Sequence, residues 1–427
     1  MDVFEQFLRD HADDDTARLL LGRAKWPSID MDLAVHTIEG RRRIRAKVPQ
    51  WDGVPGMHYP TRLCTEQCSS AATARYKAAL AARILASCTP GDADRTGRIA
   101  DLTGGLGVDA WAFAQVTEEV LHNEMDPLLS DAVRNNFEKL GIGNVVFRNA
   151  AVVPTTTLPA GSAAGAAGSV AGILDGFRPD LTFLDPARRA SDGRKVFRLE
   201  DCQPDVLTLL PELFEACPNL LFKISPMADI SLVVNQLYPR EIHVVGADGE
   251  CKELLLWLQD GWEGPCTLQV TELAEDTATL RFPLDIERSA VPVYTAAIGL
   301  TDSLLFEPGK ALAKAGLFNT ISQQFGLSKF SRHTHLYLLP QNRRTAPEPD
   351  IQDFGKTYRI LEVHAFSGKA LKALGKAWPQ AEVTARDLPL SSDELRRRLG
   401  VRSGGDIHIF GCRIADTPRL LVTRCLR

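Results

Sequence analysis

No stretch of the 427 residues approaches the roughly eighteen consecutive apolar residues that a membrane-spanning helix needs. The N-terminus, Met1-Asp2-Val3-Phe4-Glu5, lacks a basic segment followed by an apolar one, so no export signal is expected. Cysteine is scarce: nine residues without a repeated Cys-x-x-Cys spacing. An odd count without a signal peptide reads as reduced thiols and predicts a cytoplasmic protein. Cys64 and Cys68 have no third ligand nearby, and His333 with His335 makes only a pair, so no metal site is expected. Net positive charge is also missing. With 49 Lys and Arg against 54 Asp and Glu, the balance of −5 gives no global field for nucleic acid, which leaves any such role to local basic runs. What remains is ordinary soluble composition, 44% hydrophobic and 24% charged, in a chain long enough for two or three domains.

The chain is organised around residues 98–148 and 181–189. Arg98-Ile99-Ala100-Asp101-Leu102-Thr103-Gly104-Gly105-Leu106-Gly107-Val108-Asp109 reads as a strand, a glycine-rich turn and a helix start. Glycine is required there because the backbone must reach positive φ and approach a ligand without a Cβ in the way. About twenty residues on, a second apolar run ends in Glu124-Met125-Asp126, where nucleotide-binding α/β folds place a carboxylate on ribose hydroxyls. Asp126, two residues from Glu124 and on the same side of an extended strand, is the competing candidate. A later apolar strand stops in Asp185-Pro186-Ala187-Arg188-Arg189. A nucleoside ligand suits this order of features.

Asp before the glycines, Glu after the next strand and Asp-Pro after the fourth resemble the class I S-adenosylmethionine-dependent methyltransferase pattern, over roughly residues 61–258. Gly105-Leu106-Gly107-Val108-Asp109-Ala110 also matches a relaxed dinucleotide fingerprint, but the Asp-Leu-Thr lead-in and the later Asp-Pro are not expected of dehydrogenases. The resemblance implies that Asp101, Thr103, Gly104, Gly105 and Gly107 surround the amino-acid and ribose parts of S-adenosylmethionine. It further implies Glu124 on the ribose, Met125 against adenine, and Asn149 where relatives carry an Asp for the adenine amino group. Asp185 and Pro186 are the implied catalytic pair beside the transferred methyl. The motif lacks the aromatic of Asp/Asn-Pro-Pro-Tyr/Phe enzymes and is closer to the Asp-Pro-Pro-Arg of some RNA base methyltransferases. Gln67, Ser69 and Lys77 resemble the helix that lines the cofactor pocket in such enzymes.

The fold class expected is α/β, a Rossmann-like class I methyltransferase sheet with an N-terminal helical module and C-terminal α+β, ferredoxin-like and THUMP-like, domains. The boundaries predicted are 1–60, 61–262, 263–350 and 351–427. The reading predicts one alanine-rich helix from Thr65 to near Cys88, a further helix within 298–319, and a strand at 332–337 with His333 and His335 on one face. Residues 357–427 read as βαβ–αββ. There Arg386-Asp387-Leu388-Pro389-Leu390-Ser391 and Gly404-Gly405-Asp406-Ile407-His408-Ile409-Phe410 resemble the THUMP-like domain of bacterial class I methyltransferases, a module associated with RNA.

Four arginines in 41–45 are either a solvated helix face or a phosphate-contacting patch. Arg188, Arg189, Arg194, Lys195, Arg396 and Arg397 are the candidate RNA contacts. A thiol nucleophile at Cys251 or Cys202 has no His beside it in sequence. The function expected is methylation of a base in structured RNA, rRNA or tRNA. The alternatives are a small-molecule or protein acceptor, and an inactive RNA-binding protein that keeps the cofactor fold.

Overall fold

The computed structural model describes residues 3–88, 96–158, 167–188, 199–295, 299–340 and 349–426. The chain forms two compact units, one of residues 1–241 with 255–264, the other of residues 242–254 with 265–427.

The first unit is built on parallel strands: β1 (Arg98–Asp101), β2 (Glu119–Asn123), β3 (Val145–Arg148), β4 (Leu181–Leu184) and β5 (Asn219–Ile224). β1 pairs in parallel with both β2 and β4, β2 with β3, and β4 with β5. Strand Glu250–Gln259, whose residues 255–259 belong to this unit, lies beside β5. The order β5-β4-β1-β2-β3 reverses direction between β1 and β4, which opens a crevice beyond their carboxyl ends. Ile99, Val120, Leu121, Leu181, Phe183 and Leu221 are all nearly inaccessible. Such unbroken apolar runs suit strands covered on both faces, and each such side chain contributes about 1.5–3 kcal/mol on burial.

Ahead of the sheet stand helices Val3–Asp10, Thr16–Leu21 and Met31–Lys47, the last two capped by Asp15 and Asp30. Phe7, Leu8, Leu19, Met31, Ala34, Val35 and Ile38 form their core. The 41–45 arginines are committed inside this unit. Arg41 pairs with Glu5 at 2.7 Å, Arg43 with Glu39 at 3.2 Å and Arg45 with Asp52 at 3.1 Å, while Arg42 donates to the carbonyls of Ala12 and Asp14. Arg42 and Arg45 are exposed, so the run is a solvated helix face whose charges are tied to partners within this unit.

The helix expected from Thr65 to Cys88 is two helices, Arg62–Gln67 and Ala71–Cys88. The break has a polar cause. The Ser70 hydroxyl accepts from the Thr73 amide at 3.2 Å to start the second helix, and Ser69 is turned away to Asp109.

The second unit carries an eight-stranded sheet in the order Val293–Tyr294, Ser328–Lys329, Tyr337–Leu338, Leu304–Pro308, Gly355–Ala365, Thr417–Cys425, Ile407–Ile414, Glu382–Ala385. Helices Gly368–Ala377 and Ser392–Leu399 pack on it through Leu371, Leu374, Leu395 and Leu399. The βαβ–αββ order is as read from the sequence. The further helix expected within 298–319 is present as Lys310–Ala315, with the unexpected strand Leu304–Pro308 before it and helix Phe318–Phe325 after it. One other expectation is corrected. Residues 332–334 form a turn, and strand begins only at Tyr337–Leu338. His335 has φ +50° and stacks on Phe318 at 3.7 Å between ring centroids, so it does not line up with His333 on a strand face.

Candidate functional site

Everything that the sequence placed around the glycine turn gathers at the carboxyl ends of β1, β2 and β4. β1 ends in Asp101, whose Oδ1 accepts from the Thr103 amide at 3.1 Å. The turn is locked by Gly104 N–H on the Asn123 carbonyl at 2.8 Å and Gly107 N–H on the Gly104 carbonyl at 2.9 Å. The glycines serve different needs. A Cβ on Gly104 would stand 2.2 Å from His122 Nε2, and one on Gly107 (φ +81°) 2.8 Å from the Phe137 ring. Gly105, at φ +53°, has nothing within 4 Å of where its Cβ would be. Two glycines are therefore set by packing, and the third exposes bare backbone to open space.

Glu124 follows β2 and turns back onto that backbone. Its Oε2 accepts from Gly105 N–H at 2.9 Å and its Oε1 from Asp126 N–H at 2.8 Å. Asp126, the competing candidate, is spent as the cap of helix Pro127–Lys139, accepting from Leu128 N–H at 2.9 Å. Met125 is 57% exposed beside Glu124. Asn149, also exposed, donates its side-chain amide to the Glu124 carbonyl at 2.6 Å. Buried Asn123 ties the strand ends together, donating to the carbonyls of Leu102 and Ala150 and accepting from Ala150 N–H.

Asp101 is 1% exposed, and burial pushes its carboxyl well above the usual carboxylate range. The charges of Asp109, Asp185 and Glu124 push the same way, so the four acids share one neighbourhood. Under the turn, burial drives the His122 imidazole down to about 4, and neither ring nitrogen has a hydrogen-bond partner among the described residues. It is a neutral ring holding up Gly104.

Asp185 stands just past β4, beside buried Pro186. Its backbone N–H donates to the Thr103 hydroxyl at 2.6 Å, which fastens the Asp-Pro step to the glycine turn. Its Oδ2 forms an ion pair with Lys223 Nζ, from the end of β5. Sequence reasoning gave Lys223 no role. The one signal was a charge inside the otherwise apolar strand Asn219–Ile224.

The 61–77 segment adds a buried cluster. Lys77 is fully buried and lies 3.2 Å from Asp109 Oδ1, and it donates to Ser69 Oγ at 3.1 Å. Ser69 in turn donates to Asp109 Oδ2 at 2.8 Å. Lys47 holds the break in place by donating to the carbonyls of Thr65, Glu66 and Cys68. Gln67 closes helix Arg62–Gln67.

The candidate thiols sit in settings that disfavour the thiolate. Burial pushes Cys68 and Cys251 up to about 11, and Cys202 is fully buried in the short ladder of Ala187–Arg188 with Cys202–Gln203. Among the candidate RNA contacts, Arg189, Arg194 and Lys195 lie outside the described residues, as does the side chain of Arg188. Arg396 pairs with Asp393 at 2.6 Å and Arg397 donates to the Asp393 carbonyl at 3.4 Å, both on helix Ser392–Leu399.

Among the described residues no group of three or more His, Cys, Asp or Glu could hold a metal ion, and no helix is long and apolar enough to cross a membrane.

Comparison with known proteins extends this geometry. A family model described as THUMP domain-like matches residues 355–425, and one described as a ferredoxin-like domain matches residues 304–343. A crystal structure from Porphyromonas gingivalis W83, described as a "putative methyltransferase", is similar over the whole chain. The match covers 100% of this chain and 98% of that one at 30% identity, with a TM-score of 0.79. An rRNA methylase from Streptococcus thermophilus matches at 13% identity over 42% of this chain and 94% of its own, with a TM-score of 0.26. A Streptococcus mutans methyltransferase of the same "putative" standing, in complex with SAH, matches at 12% identity over 42% of this chain and 96% of its own, also at 0.26. At such TM-scores nothing about this chain follows from those two. No curated protein matches the sequence.

Proposed function

The chain belongs to the class I S-adenosylmethionine-dependent methyltransferase family with a C-terminal THUMP-like domain, and on that premise we propose that it methylates a base in structured RNA, rRNA or tRNA. The observation that carries the reading is the tie between Thr103 and Asp185, which sets an acceptor-side Asp-Pro next to the nucleoside cradle. The THUMP-like match over residues 355–425 supports RNA as the acceptor.

The residues present fit the cofactor. Gly105 leaves open the volume that a Cβ would fill, and each Glu124 oxygen keeps a second lone pair for a ribose hydroxyl. Asp101, buried among like charges, is stabilised by an incoming ammonium group. S-adenosylmethionine supplies a methyl group on a sulfonium, an electrophile with its leaving group built in. The chain's own work is placement: Glu124 and the turn fix the nucleoside, and Asp185 with Pro186 orients the acceptor on the line of displacement. Arg188, Arg189, Arg194, Lys195, Arg396 and Arg397 are assigned to the phosphate backbone.

The test is incubation of the protein with labelled S-adenosylmethionine and RNA from cells that lack it. Label should enter RNA. Asp185→Ala should abolish incorporation and leave RNA binding within about twofold. Absence of label in any RNA fraction, with cofactor bound, removes the RNA reading.

A further inference from the structure

Asp185 is fixed at two points. Its backbone N–H is held by the Thr103 hydroxyl and its Oδ2 by Lys223, while Oδ1 makes no hydrogen bond among the described residues. The pair is partly shielded, with the Asp185 side chain 35% and the Lys223 side chain 17% exposed. Lys223 projects from the end of β5, next to β4, so the sheet itself sets the separation of the two groups. A carboxylate is an acceptor only, and a lysine ammonium is a donor only. With Oδ2 occupied, the remaining oxygen can recognise just one kind of group, a hydrogen-bond donor on the acceptor molecule.

This arrangement discriminates among acceptor atoms. Methylation at an unactivated ring carbon calls for a thiolate to add to the base. Cys68, whose thiol feels the Lys223 charge, is nevertheless pushed up to about 11 by burial, which disfavours the thiolate. Methylation at a hydroxyl calls for removal of an O–H proton far less acidic than a carboxylic acid, which neither a carboxylate already paired with an ammonium nor the ammonium itself does well. A nitrogen bearing hydrogen needs neither. It needs its N–H taken by an acceptor so that its lone pair points at the methyl group.

We propose that Lys223 is a positioning residue for methyl transfer to an N–H nitrogen of a nucleobase: it pins Oδ2 of Asp185 so that Oδ1 accepts the hydrogen of the acceptor nitrogen. The nitrogen–methyl bond forms as the sulfur–methyl bond breaks, and the sulfonium becomes a neutral thioether. The methylated nitrogen, now cationic, loses its proton to Asp185 Oδ1 and thence to water. No oxidant, metal or further co-reactant enters the balance. The inference rests on the methyltransferase reading of the site and adds the acceptor atom and the residue that aims Asp185.

The test uses the full-length protein, its Lys223→Met and Lys223→Arg variants, and an extract of cells lacking the protein, separated into RNA, protein and small molecules. Each is supplied with labelled S-adenosylmethionine, and the labelled product is digested and its methylated atom identified. Label on a base nitrogen is expected. Lys223→Met should lower kcat at least thirtyfold with KM for the acceptor within about threefold, and Lys223→Arg should recover most of the loss. Calorimetry with the demethylated cofactor should give the same affinity for all three proteins, which shows that the variants are folded and loaded.

Label on carbon or on a ribose hydroxyl overturns the proposal and leaves the RNA reading standing. Label on a protein nitrogen, or on a small molecule that is not a nucleobase, overturns both the proposal and the RNA reading. An unchanged kcat in Lys223→Met overturns the proposal whatever the acceptor. No label in any fraction overturns both.

Discussion

At the scale of single residues, the glycine turn separates two kinds of constraint that one substitution each can measure. Gly104→Ala drives a methyl group into the buried His122 ring, where a Cβ would be 2.2 Å from Nε2. Overpacking of that kind costs about 1–3 kcal/mol, and the turn must shift, so cofactor binding should be lost with it. Gly105→Ala meets no atom but keeps a left-handed φ of +53°, so a cost of about 1 kcal/mol is expected from backbone strain alone. Denaturant unfolding of both variants checks the ranking.

His122 carries a pH signature. Its folded pKa of about 4 lies below the ordinary 6.5, so the unfolded chain binds more protons between those values. The stability it contributes is present above about 6.5 and falls away as pH drops toward 4, by up to about 3 kcal/mol. His122→Gln should flatten the unfolding free energy across that window. Asp101 has the opposite sign: its raised pKa means that the apo protein loses stability as pH rises above the ordinary carboxylate value. Asp101→Asn should therefore raise the apo melting temperature at pH 7 while weakening cofactor binding about 10–100-fold, the scale of a charge-assisted hydrogen bond.

At the scale of elements, the break between helices Arg62–Gln67 and Ala71–Cys88 couples the helical front to the site. Lys47 grips the carbonyls that end the first helix, and Ser69 reaches Asp109 and Lys77. Helix Pro127–Lys139 is held from the same side. Asn136 donates to the His58 carbonyl at 2.8 Å and accepts from the His58 N–H at 2.7 Å. Lys77→Met strands Asp109 in a buried setting and should cost about 3–5 kcal/mol, whereas Lys77→Met with Asp109→Leu should recover most of it. Urea denaturation of the single and double variants measures the difference.

The strands β1, β2 and β4 and the residues at their tips were legible because the signals are local: an apolar run, a turn that demands glycine, an acid at a strand end. The Lys223–Asp185 pair was not, because 38 residues separate the partners and only the parallel pairing of β4 with β5 brings them together. The helix break was missed because alanine on both sides reads as continuous, and only the partners of Ser69 explain it. Leu304–Pro308 was missed because its register partners in Gly355–Ala365 lie far along the chain, Leu304 opposite Arg359 and Pro308 opposite Gly355, while nothing in its own five residues distinguishes strand from helix. The 41–45 run shows the converse: composition left open a solvated helix face or a phosphate patch, and only the tertiary partners show that Arg41, Arg43 and Arg45 are engaged by Glu5, Glu39 and Asp52.

At the scale of the whole molecule, a net charge of −5 leaves the proposed RNA binding to local contacts rather than to a general field. Arg396 and Arg397 face intrahelical partners that are worth little in solvent, so exchange to phosphates is cheap. Arg396→Glu with Arg397→Glu should weaken binding to bulk tRNA or rRNA about tenfold at low salt and reduce the salt dependence by about two phosphate contacts, as read by filter binding.

The cradle proposed for the cofactor is formed by Asp101, the bare backbone of Gly105 and Glu124. Its most direct test is titration calorimetry of the folded protein with S-adenosylmethionine and with its demethylated product. Saturable one-to-one heat is expected for both ligands, reduced at least tenfold in affinity by Glu124→Ala. Folded protein that gives no heat with either ligand would contradict it.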